Sequence, residues 1–122
     1  MSEAAHPPDS APPPLDELRV VLCNAPPDRA EAIARAVLEA RLAACVNVIP
    51  GVVSLYWWEG AIQRDAESTL LIKTRADLVG ELTAAIKAAH PYSVPEVVSL
   101  PIESSEGNGD YLRWVAHEAL PR

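Results

Sequence analysis

The chain has 122 residues, with 17 Asp plus Glu against 10 Lys plus Arg, a formal charge of −7, and 12 prolines. That length accommodates one domain of ordinary size and not two. Hydrophobic residues make up 49%, enough for a core, whereas the longest nearly apolar stretch, Ile49 to Trp58, is about half of a membrane span. An acidic chain without a Lys/Arg cluster is repelled by phosphate backbones and anionic bilayers, which argues against nucleic acid and membrane partners. Two cysteines, Cys23 and Cys45, are too few for a disulfide scaffold. With no secretory signal pattern at the N-terminus, a reducing cytoplasmic setting is expected.

Residues 1–17 hold five prolines, four acids and no base. Such a segment buries too little apolar surface to offset the entropy of ordering it, and it reads as a disordered tail. A single folded domain, 18–122, follows, and it carries −3 of the charge (13 acids, 10 bases).

Leu18 to Asn24 is an apolar run rich in branched residues that stops at Ala25-Pro26-Pro27, which predicts a buried strand. Asp28 with Glu31 reads as a capping box for a helix whose apolar positions are Ala30, Ile33, Ala34, Val37, Leu38 and Leu42. Cys45 to Glu59 reads as one long strand bent at Pro50-Gly51 and turned by Gly60-Ala61. Its partner is Glu67 to Thr74. A second helix is expected from a Thr74/Asp77 cap to His90, where Pro91 stops it. A fourth strand, Glu96 to Ile102, and a short helix opened by Asn108-Gly109-Asp110 complete the chain. The order βαββαβ plus a terminal helix is an α+β, ferredoxin-like split βαβ: a four-stranded antiparallel sheet with two helices on one face. The bare second face and the long second strand then need cover, most simply from further copies of the same chain.

Four blocks, Val20 to Ala25 (VVLCNA), Leu42 to Gly60 (LAACVNVIPGVVSLYWWEG), His90 to Glu96 (HPYSVPE) and Asp110 to Trp114 (DYLRW), resemble the divalent-ion tolerance proteins called CutA, in order and at similar spacing. The resemblance spans roughly Leu18 to Ala119. It implies a PII-like, cytoplasmic homotrimer involved in tolerance of divalent metal ions, with copper as a ligand. Of the copper donors proposed in some bacterial members, Cys23, Cys45 and His90 have counterparts here. The positions matching a cysteine in the second helix and a second histidine are Ala85 and Ala89.

Threading the sequence through that fold places Cys23, Trp58, Glu59, Glu67, His90, Tyr92 and Glu96 at one end of the sheet and Cys45, near Lys73, at the other, with the cysteines about 20 Å apart. Cys23 and His90 are suitable soft and intermediate donors for copper or another divalent metal, with Glu67 or Glu96 as oxygen ligands, and no cofactor is required. No CxxC, HxxxH or HExxH spacing is present, and a buried thiol and a helix-terminal histidine are equally natural packing residues. A second reading is an inter-subunit pocket for a small ligand, built from Tyr56, Trp58, Glu59, Glu67, Lys73, Tyr92, Glu96 and Tyr111. Nucleotide binding lacks a GxxxxGK[ST] loop, and Gly107-Asn108-Gly109-Asp110 reads as a turn and helix cap. Catalysis is disfavoured because no Ser or Cys nucleophile has an evident His partner.

Overall fold

The computed structural model describes residues 17–121; the N-terminal tail expected from the sequence lies, but for Glu17, outside the described residues. The elements are β1 (Leu18–Ala25), α1 (Ala30–Glu39), β2 (Cys45–Trp58), β3 (Ala61–Arg75), a 3-10 turn (Ala76–Leu78), α2 (Val79–Ala89), β4 (Val98–Pro101), a second 3-10 turn (Ser104–Glu106) and α3 (Gly109–Glu118). The four strands form one antiparallel sheet in the order β2-β3-β1-β4. The expected α+β, ferredoxin-like arrangement is therefore the observed one.

Strand alternation divides the sheet into two faces. Val21, Cys23 and Ala25 of β1 and Leu70 and Ile72 of β3 are fully buried beneath Ile33 and Val37 of α1 and Leu82 and Ile86 of α2. The apolar positions of α1 recur at helical spacing, while Glu31 and Arg35 pair on its outer side. α3 packs Leu112, Val115 and Ala116 against Leu18, covering one corner of the second face. The rest of that face carries Val20 and Leu22, both half-buried.

Both expected capping boxes are replaced. The Pro26 carbonyl accepts the amides of Arg29 and Ala30 at 2.9 and 3.1 Å, so α1 starts from a turn with Arg29 at its N-cap and no side-chain cap. Thr74 stays in β3, where its hydroxyl donates to the Leu42 carbonyl at 2.7 Å, and Asp77 pairs with Arg75. The cap expected at Asn108 does form: its side chain accepts from the Asp110 amide at 3.0 Å.

Pro50-Gly51 marks a register shift between the pairs Ile49↔Thr69 and Val52↔Glu67. One extra residue on β2 makes this a bulge, and Gly51, at φ 78°, takes up the left-handed conformation it requires. β3 is longer than expected, beginning at Ala61, while β4 is shorter. β1 pairs only with Ser68–Arg75 of β3. Residues 52–58 and 61–67 therefore extend past the sheet as a two-stranded arm. Its two-residue turn, Glu59 at φ 50° and Gly60 at φ 80°, has the positive dihedrals that match strand twist.

Candidate functional site

The register relocates the cysteines. Cys23 sits opposite Leu70 and Cys45 opposite Lys73, strands β1 and β2 flanking β3. An offset of three residues and two strand spacings puts them about 14 Å apart, closer than the 20 Å expected. Because Leu70 and Lys73 lie on different faces of β3, the two thiols also lie on opposite faces of the sheet. Both are free.

Cys23 and His90 converge on one atom, the Asn24 carbonyl oxygen, which accepts from Cys23 Sγ at 3.7 Å and lies 2.8 Å from His90 Nε2. His90 Nδ1 accepts the Tyr92 amide at 3.1 Å, so Nε2 carries the proton donated to Asn24 and the ring is the neutral Nε2–H tautomer. The two aromatic rings sit 4.7 Å apart. This bracket ties the segment after α2 to the end of β1. Burial, with the nearby Glu96 and Glu67 charges, pushes the Cys23 thiol up to about 12. Among the described residues, no three His, Cys, Asp or Glu side chains gather closely enough to hold a metal ion.

Beside the bracket is a cavity of about 590 Å³. Ser54, Leu55, Tyr56, Trp58 and Glu67 line it from the arm and Asn24 from β1; Tyr92, Ser93, Val94 and Glu96 line it from the segment leading to β4. Alternation on β2 puts Ser54, Tyr56 and Trp58 on the face shared with Glu67. Glu67 is only 5% exposed, and its Oε2 accepts the Tyr92 hydroxyl at 3.0 Å. Burial and that bond push the Tyr92 phenol up to about 12. Burial, then the Glu67 charge, raises the Glu96 carboxyl above its ordinary range. Tyr56 donates to Asp65, which raises its phenol as well.

Five of the eight residues expected in a pocket thus line this cavity: Tyr56, Trp58, Glu67, Tyr92 and Glu96. The other three do not. Glu59 occupies the arm turn. Lys73 reaches Asn47 and lies 4.0 Å from Cys45 Sγ. Tyr111 stacks on Trp114 at 5.6 Å, its phenol raised by burial and by Cys45. Lys73, Cys45 and Tyr111 form a separate group toward the α3 corner. The sequence reading missed Asn24, Ser54, Leu55, Ser93 and Val94. Ser54 was recoverable as the alternate neighbour of Tyr56, and Ser93 and Val94 from their place between Tyr92 and Glu96.

Fold and cavity together define a small ferredoxin-like α+β domain with a side cavity between a hairpin arm and the post-helix segment. The model of the CutA1 divalent ion tolerance protein family matches residues 19–118, and the chain belongs to that family. The divalent-cation tolerance protein CutA of Thermus thermophilus is 48% identical over 97 residues, which cover 79% of this chain and 92% of that protein. Rice Protein CutA 1, chloroplastic, is 52% identical over 83 residues, 68% of this chain. The chain spans about half the length of that rice relative, 46%. Among solved structures, the PII-like protein CutA from Nostoc sp. PCC 7120 superposes with a TM-score of 0.80 at 34% identity, covering 85% of this chain and 99% of that one. No helix among the described residues is long and apolar enough to cross a membrane.

Proposed function

We propose that the chain is a non-catalytic, cytoplasmic homotrimeric subunit of a divalent-ion tolerance response, and that the cavity beside the arm is its ligand site. One observation carries this reading: the cavity is continuous with an uncovered apolar arm. Val53, Leu55, Trp57 and Ile62 share the arm's other face, with Leu55 67% and Trp57 72% exposed, and Leu55 also lines the cavity. An isolated two-stranded hairpin is marginal in water, so neighbouring subunits that cover the arm also wall the cavity. The likeness to a PII-like protein supports three copies as the closed arrangement. Sedimentation equilibrium of the full chain at micromolar concentration should give three chain masses. Trp57→Ala should weaken association by about 2 kcal/mol while leaving the far-ultraviolet circular dichroism unchanged. A stable wild-type monomer overturns the reading.

Copper is the second reading, supported by the convergence of Cys23 and His90 on Asn24. The two supply one sulfur and one nitrogen donor, a set suited to the soft cuprous ion. Binding would release the thiol proton and turn the imidazole off its present partners, so affinity should rise with pH. Cys45, on the opposite face, takes no part within one subunit. Cuprous-ion titrations in which Cys23→Ala and His90→Ala leave affinity unchanged would remove this site.

A further inference from the structure

We propose that the cavity selects a small organic cation, one carrying an ammonium or guanidinium group, over nucleotides and other anions. The inference rests on the reading of the cavity as a ligand site and adds the charge class of the ligand. The volume, about 590 Å³, is in the range of small-molecule sites. Its two ionisable carboxyls, Glu67 and Glu96, enter from different elements, and none of the described lining residues is Lys, Arg or His. An anion placed here would meet negative charge with no counter-charge.

Glu67 supplies the directional element. It is buried, and while Oε2 takes the Tyr92 hydroxyl, Oε1 has no hydrogen-bond partner among the described residues. No buried side-chain oxygen among the described residues lacks a partner, so this oxygen is open to the cavity, where it can accept an N–H group of a ligand in place of water. The Tyr92 hydroxyl has already given its proton to Glu67, so its remaining capacity is to accept.

The walls suit the same ligand. Tyr56, Trp58 and Tyr92 offer ring faces that attract cations, most strongly where water is excluded. A bare divalent ion would need three or more closely set ligands, and no such group exists among the described residues. A charge spread over an organic head group matches two separated carboxyls and aromatic walls better. The raised Glu96 carboxyl fits this picture, since a cation held between it and Glu67 offsets their repulsion.

The test is calorimetric titration of the full chain with agmatine, which carries both head groups, with adenosine triphosphate and magnesium chloride as the anion and metal probes. Agmatine should bind, and Glu67→Gln should weaken it at least about tenfold. Glu96→Gln, on a different element, should weaken it as well, and covers the case that Glu67→Gln fails to fold. Triphosphate binding without agmatine binding, lost in Tyr92→Ala, overturns the charge class and leaves the cavity a ligand site. Magnesium binding abolished by Glu67→Gln, without agmatine binding, overturns it in favour of a metal. No heat with any probe, on a chain that sediments as an oligomer, overturns the charge class while the assembly reading stands.

Discussion

The two halves of the β2–β3 ribbon are made of similar residues and meet different fates. In the body, Val46, Leu70 and Ile72 belong to a core closed by α1 and α2. In the arm, Val53, Leu55, Trp57 and Ile62 stand in solvent because both helices end short of them. Alternating branched and aromatic residues specify a strand in either place, but only the layer behind the strand decides whether its apolar side is a core or a contact surface. The helices stop where they do for local reasons: Pro91 ends α2 after His90, and the Pro26 turn fixes the start of α1.

If that contrast holds, truncating the body must damage each chain. Ile72→Ala, at a fully buried position, should cost about 2–5 kcal/mol, measured by chemical denaturation at fixed protein concentration. A cost below that of an exposed arm residue would erase the distinction between the two halves.

A smaller effect sharpens it at the cavity where body and arm meet. The Glu96 carboxyl is raised in the folded state by burial and by Glu67, so folding favours its protonated form. That stabilisation is fully present below the ordinary glutamate range and is lost as pH rises through the raised value. Glu96→Gln should therefore melt slightly higher than wild type at neutral pH, with the difference closing on acidification. Scanning calorimetry at several pH values checks this, and an unchanged gap across the range would contradict it.

The sheet, the element order and the bend at Pro50-Gly51 were legible in the sequence because each rests on local signals: period, turn residues and proline. The extent of the arm was not. Gln63, Arg64 and Asp65 look like loop residues, yet they pair in register with Tyr56, Leu55 and Ser54. The Thr74 cap failed because the distant Leu42 carbonyl competes for its hydroxyl. The site was legible in part. His90 to Glu96 announced a rigid segment, and Tyr92 and Glu96 follow from it. Lys73 shares the face of Glu67 but lies six residues further along β3, opposite Cys45, and that distance along the strand, not the face, sets it and Tyr111 toward the α3 corner.

The single extra residue at Gly51 acts on β2 as a frameshift acts on a reading frame. Ahead of it, odd-numbered residues such as Asn47 share the face of Lys73; beyond it, the even-numbered Ser54, Tyr56 and Trp58 take that face and the odd-numbered residues cross over. Were Pro50 and Gly51 both kept in regular alternation, with no bulge, the two sets would exchange wholesale, turning Trp57 toward the cavity and Trp58 away from it. The division of labour along the arm is thus encoded less in which residues it contains than in the phase in which they are read out.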